Sequence, residues 1–468
     1  MTRLSTTDAS FYRLENTATP MYVGSLSILR QPRGGLSYET LLETVEQRLP
    51  QIPRYRQKVR EVTMNLARPV WVDDRDFDIT YHVRRSALPS PGSDEQLHEL
   101  IARLAARPLD KSRPLWEMYL VEGLAKNRVA LYTKSHQALI NGMNALEIGH
   151  VIVDRTRHPP PLPEDFWVPG PEPGTTRLLF GAIGDWLSRP GVQLQAVTSG
   201  VAEAITNSGL LIDIGRRMLN FALTVARGTA PNSPLNAPVS RSRRFTVARG
   251  RLEDYRAVRA RYDCDVNDVV LAVIAGALRN WLLSRGEVVA PTATIRAMAP
   301  MPVYPEDKFD AAGPGQAIGE VTPFLIDLPV GEGNAVVRLS QIAHATESHP
   351  TAASLVDARS IVTLSGFAPP TLHGMGIRVA TSLPARVFNL LITNAPGAQS
   401  QMYVAGSKLL ETYAVPPLLS NQVLAIGVTS YNGMLYFGIN ADREAMSDVD
   451  VLPTLLTESL EELLEAAK

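Results

Sequence analysis

One cysteine, Cys264, in 468 residues leaves no partner for an internal disulfide. With no charged, apolar and small-residue leader at its start, the chain is expected in a reducing, cytoplasmic setting. Charge of one sign is missing too. The 46 Lys and Arg against 47 Asp and Glu leave a formal charge of -1, so no bulk attraction to nucleic acid or anionic lipid is expected. No apolar run reaches the roughly 18 to 20 residues that span a bilayer, so membrane association is expected to be peripheral. The histidines, among them His82, His150, His344 and His373, show no HxxxH-type spacing, and no metal site is expected. Nothing beside Cys264 suggests an activated thiolate, so it reads as a small buried residue. What the chain does have is 45% hydrophobic and 20% charged content, enough for a large core spread over two or more domains.

Three regions differ in character. Residues 1–155 alternate strand-like and helix-like segments. Tyr22 to Leu29 is strand-like, Tyr38 to Leu49 has helical spacing, and Trp71 to Val83 reads as a polar loop entering a strand. Asp94 to Ala106 keeps Leu97, Leu100, Ile101 and Leu104 on one helical face. Met118 to Val121 and Val129 to Thr133 predict two further strands around a turn. Residues 156–240 open with Pro159, Pro160, Pro161, Pro163, Pro169 and Pro171, which exclude a regular helix or central strand there. Thr176 to Arg227 then predicts two helices, separated near Pro190, crossing between domains. Within it Leu178, Leu179, Phe180, Ile183, Trp186 and Leu187 lie near helical spacing, as a peripheral membrane contact or an interdomain face would require.

Residues 241–468 form the third region. Asn267 is the expected cap of a buried helix from Asp268 to about Arg285, stopped by Gly286. Asn432-Gly433 between two apolar runs predicts a type I′ hairpin from Leu424 to Ile439. Ser447 to Ala467 closes the chain as an amphipathic helix.

The chemistry-bearing stretch is Tyr132-Thr-Lys-Ser-His136-Gln137-Ala-Leu-Ile-Asn141-Gly142. It resembles the HHxxxDG signature of CoA-dependent acyltransferases, with Gln137 at the second His and Asn141 at the Asp. Further matches are Pro20-Met-Tyr-Val-Gly24, Pro108-Leu-Asp-Lys-Ser-Arg-Pro-Leu-Trp116-Glu117, Asn267-Asp268, Asn394-Ala-Pro-Gly397 and Tyr413-Ala-Val-Pro-Pro417. The motif and these matches, all in order along the chain, make it resemble the bacterial wax ester synthase/acyl-CoA:diacylglycerol acyltransferase family. The resemblance implies an α/β fold of two chloramphenicol-acetyltransferase-like sandwich domains, joined by a crossover, with a reaction tunnel between them.

It also implies roles. The second His is the family's general base, so Gln137 occupies the catalytic position with an amide that cannot take a proton. His136 matches the first His, which does not carry the proton transfer; a histidine held at a strand end fits it equally. Asn141 stands at a structural Asp, for which Arg296 is the candidate partner, and Gly142 fits a tight turn. Trp116 reads as a packed aromatic, with Glu117 satisfying a neighbouring backbone group or arginine. Asn267, Asp268 and Asn394 are tunnel candidates, although a helix cap and a turn explain them as well.

The implied activity is transfer of a long-chain acyl group from acyl-CoA, as substrate and with no cofactor, to diacylglycerol or a fatty alcohol. The setting is cytoplasmic, at the inner face of the plasma membrane or on lipid droplets. The competing expectation is a catalytically impaired relative that binds acyl-CoA or neutral lipid as carrier, sensor or assembly partner. Amide-bond formation of the condensation type has no neighbouring carrier-domain sequence to support it.

Overall fold

Along Arg128–His136 alternate side chains turn to opposite faces, and both faces are buried, so this segment is the middle of a covered sheet. The computed structural model describes residues 2–31, 36–62, 68–140, 147–160, 166–172, 174, 229–299, 301–303, 320–322, 324–348, 377, 381 and 387–468. The expected crossover helices, Trp186 among them, and the pair Asn141-Gly142 lie outside these residues.

The first sheet has seven strands in the order Val83–Ala87, Trp116–Leu124, Arg128–His136, Tyr22–Arg30, Ser407–Val415, Tyr403–Val404, Val153–Asp154. Tyr22 pairs with His136, Trp116 with Ser135, and Gly24 with Val415. Four of the quoted stretches, far apart in sequence, therefore meet at one end of this sheet. A cut of the chain near residue 240 does not follow the sheets, because residues 403–415 complete the N-terminal one. The helix Asp94–Ala106 is closed by a capping box between Ser93 and Gln96, and it packs against the strand Arg243–Arg251. Trp71 lies in a short strand, Val70–Asp73, where a loop was expected; it pairs with the nearby Gln57–Arg60 and, far away in sequence, with Thr2–Arg3.

The second sheet has six strands, Leu325–Leu328, Ile295–Met298, Leu390–Ala395, Leu424–Tyr431, Met434–Asp442 and Arg243–Arg251. The hairpin forms as expected: Tyr431 pairs with Met434 across Asn432 (φ 47) and Gly433 (φ 81). Both central residues have the positive φ of a type I′ turn. Helices Leu252–Tyr262, Val266–Ser284, Ala335–Glu347 and Leu452–Ala467 pack with it around one apolar core. Val266–Ser284 has the length and apolarity of a membrane span, but Val269 to Leu278 are all buried inside the protein. Its cap differs from expectation. Asp265, not Asn267, caps it, through a capping box with Asp268, because a carboxylate at each end of the box satisfies two amides at once. The last helix starts at Leu452, after a 3-10 turn over Val449–Val451.

The sheets meet where the strand Ser407–Val415 lies over the hairpin. A Cβ on residue 438 would sit 1.8 Å from the carbonyl oxygen of Ala414, so only glycine permits this approach. Beside the crossing, Val23, Ile140, Met298, Leu391, Leu418 and Leu419 form an apolar cluster drawn from both halves.

Candidate active site

His136 ends its strand and caps the 3-10 turn Gln137–Leu139. Its Nδ1 accepts from the amide of Ala138 at 3.0 Å, so the network assigns the proton of the neutral ring to Nε2. Nε2 faces Glu15 at 3.7 Å. With Nδ1 already taken, His136 holds the turn and does not offer that lone pair to a substrate. Gln137 follows, fully buried, its backbone N–H donating to the carbonyl of Met21 at 2.8 Å.

Glu15 organises this corner. One carboxylate oxygen accepts from the Met21 amide at 3.2 Å, and the other meets Lys111 at 3.0 Å. Lys111 also donates to the Tyr12 carbonyl at 2.8 Å. The Pro20–Gly24 and Pro108–Glu117 stretches are thus tied to the Gln137 turn through a residue outside all of them. Glu15 escaped sequence reasoning because its partners lie six, 96 and 121 positions away.

On one face of the sheet, Trp116 is buried, donates Nε1 to the Tyr55 carbonyl at 2.8 Å and stacks on His82 at 4.7 Å. Burial pushes the His82 imidazole down to about 4. On the other face Glu117 receives Lys134 at 3.2 Å, Arg84 at 3.2 Å and the Tyr119 hydroxyl at 2.8 Å. Burial pushes the Lys134 ammonium below its ordinary value, while Glu117 opposes that shift.

A third buried carboxyl adjoins the motif strand. Glu147 accepts from the Ser135 hydroxyl at 2.7 Å and the Gly149 amide at 2.6 Å, and Tyr55 donates to the same Ser135 at 3.1 Å. Burial pushes the Glu147 carboxyl up to about 7, against those hydrogen bonds. The signal was in the sequence: one acid in the run Ala145-Leu-Glu147-Ile-Gly-His-Val-Ile-Val153, apolar but for it and His150.

The other candidates gather elsewhere. Asn394 donates Nδ2 to Asn267 Oδ1 at 3.0 Å, joining a strand end to the first turn of the buried helix. Asp268 accepts from the Asp265 amide, and burial raises its carboxyl. Arg296 grips Asp327 with two bonds, at 2.7 and 3.1 Å, on the neighbouring strand. Its expected pairing with Asn141 falls outside the described residues. Among the described residues no three His, Cys, Asp or Glu side chains form a metal set.

Two sandwiched α/β halves, with the histidine-bearing strand end at their junction, define an acyltransferase-type architecture. The chain belongs to the wax ester synthase/diacylglycerol acyltransferase family: its catalytic-domain model matches residues 4–270 and its C-terminal-domain model residues 320–464. A Mycobacterium tuberculosis protein named a probable diacylglycerol O-acyltransferase is 80% identical over 265 residues, 57% of this chain and 98% of that one. Another diacylglycerol O-acyltransferase-named protein of the same organism is 32% identical over 478 residues, covering 100% of this chain and 91% of its own. The wax ester synthase/diacylglycerol acyltransferase of Marinobacter aquaeolei VT8 shares the fold with a TM-score of 0.67 at 24% identity over the full length of both chains.

Proposed function

We propose that this protein transfers a long-chain acyl group from acyl-CoA to the hydroxyl of diacylglycerol or a fatty alcohol, slowly, because Gln137 replaces the base. The observation that carries the reading is the convergence of Met21, Lys111, Trp116, His136 and Gln137 at one sheet end, tied by Glu15, in a member of an acyltransferase family.

In the reaction the alcohol oxygen bonds to the thioester carbon, the carbon–sulfur bond breaks, and the alcohol proton ends on the released CoA thiol. The Gln137 amide can orient the hydroxyl but cannot hold its proton in transit. Loss of a general base typically costs ~10² to 10⁴ in rate. Orientation in a dry site offsets part of that. The acceptors are membrane or lipid-droplet lipids, so a peripheral position at such a surface, on the cytoplasmic side, goes with this reading, and no cofactor is called for.

The neutral Gln137 beside a His136 whose Nδ1 is engaged also favours a second reading, a binder of acyl-CoA or neutral lipid without turnover. Purified protein incubated with radiolabelled long-chain acyl-CoA and several acceptors separates the two. Labelled triacylglycerol or wax ester supports the enzyme; bound but unconverted label supports the binder.

A further inference from the structure

The loop that carries Glu15 and Met21 is gripped from the opposite half of the molecule. It joins the helix Thr6–Leu14 to the strand Tyr22–Arg30, and Asn16 folds it locally, its Oδ1 accepting from the backbone N–H groups of Ala18 and Thr19 at 2.8 and 2.9 Å. The Ala18 carbonyl accepts from Arg243 Nη2, on the edge strand of the second sheet and 225 positions away. Arg243 is 5% exposed.

The other end of the same guanidinium is fixed in its own half. Its Nη1 donates to the carbonyls of Ser240 and Ser242 at 2.7 and 3.1 Å and lies 3.7 Å from the Asp442 carboxylate. That carboxylate is itself held by the backbone N–H groups of Ser240, Glu444 and Ala445. A guanidinium is a planar, rigid fork, so covalent geometry sets the distance between its two anchors.

Ala18 lies three residues from Glu15 and three from Met21. On one side the Glu15 carboxylate faces His136 Nε2, and on the other the Met21 carbonyl accepts from the Gln137 backbone N–H. A shift of Ala18 therefore reaches both residues of the motif pair. Neutralising Asp442 would need a cation but not a fork, and lysine separates the two roles.

We propose that Arg243 is a positioning residue: from the second sheet it fixes the loop that sets His136 and Gln137, and the reach of its Nη2, beyond its charge, places the motif turn. It acts through Ala18. Its consequence for turnover rests on the acyltransferase reading above, because a misplacement of about 1 Å at a reacting group costs roughly 10² in rate.

Hydrogen exchange read by mass spectrometry on the full chain, without ligand, tests the placement. In Arg243→Lys, which keeps a cation for Asp442, peptides spanning Met21 and those spanning Gln137 and Ala138 should exchange about tenfold faster, the scale of losing one hydrogen bond to a charged group. Peptides from the helix Asp94–Ala106 and the strand Leu424–Tyr431 should exchange as in the wild type. Arg243→Met, which removes the cation as well, should loosen the same loop and turn. Unchanged exchange at Met21 and Gln137 in Arg243→Lys overturns the proposal. So does a rise spread equally over the control peptides, which would make Arg243 a general tie between the halves. If Arg243→Met does not fold, Arg243→Lys decides; loss of the fold in both would make the residue an architectural cation and overturn the proposal too. In the radiolabel assay Arg243→Lys should lower kcat by roughly tenfold or more and leave KM for acyl-CoA as it was. An unchanged kcat overturns the positioning role. Absence of turnover in the wild type would remove the acyltransferase reading alone, since the exchange result needs no catalysis.

Discussion

Glu15 and Gln137 are joined through a single residue: the Met21 backbone N–H donates to the Glu15 carboxylate, and the Met21 carbonyl accepts from the Gln137 backbone N–H. The same carboxylate meets Lys111 and faces His136 Nε2. One buried acid therefore fixes both neighbours in the motif. Removing it leaves the Met21 amide unmet and takes from Lys111 its carboxylate partner. Glu15→Ala should destabilise the fold by about 1–3 kcal/mol, and Glu15→Gln, which keeps an acceptor for Met21, by less. Urea denaturation of the two variants checks the order; equal losses would show that Glu15 acts through packing alone.

Restoring the base should restore rate. Gln137→His combined with Asn141→Asp is expected to raise acyl transfer by roughly tenfold or more in the radiolabel assay. Circular dichroism controls for folding, and a folded double variant without gain would remove Gln137 as the limiting residue.

Glu147 gives the protein a pH dependence of definite sign. Its folded value of about 7 lies above the ordinary glutamate value of 4.5, so the folded state binds its proton more tightly. Stability should fall as pH rises between about 4.5 and 7, and stay level in this contribution above that. The buried His82 and His150, both pushed down to about 4, act oppositely: they lose stability as pH falls below the ordinary histidine value of 6.5. The contrast between wild type and Glu147→Gln isolates the carboxyl. The melting temperature of the wild type minus that of the variant should fall from pH 5 to about 7 and then level off, and parallel curves would reject the assignment.

Gly438→Ala places a methyl group against the Ala414 carbonyl, and backbone on both sides leaves little to give. A loss of about 3 kcal/mol is expected, with the two sheets separating first. Limited proteolysis with intact-mass readout locates the opening; unchanged cleavage would mean the seam relaxes around the methyl.

An apolar acyl channel predicts that long-chain acyl-CoA raises the melting temperature more than acetyl-CoA or free CoA. Equal shifts for all three would exclude the channel.

Local pattern carried much of this fold. The helix Asp94–Ala106, the Asn432-Gly433 hairpin and the buried helix ending before Gly286 follow from periodicity and turn chemistry, which act over a few residues. The identity of residue 137 as an amide is likewise a fact of sequence, and with it the chemical limit on the site. Other features needed the third dimension. Residues 403–415 join the N-terminal sheet, Asp265 takes the cap from Asn267, and Glu15 and Lys111 join His136 across about a hundred residues. The physical reason is common to all three. Strand pairing, cap choice and buried charge pairing are settled by which long-range arrangement satisfies the most buried polar groups at once, and local patterning does not encode that sum.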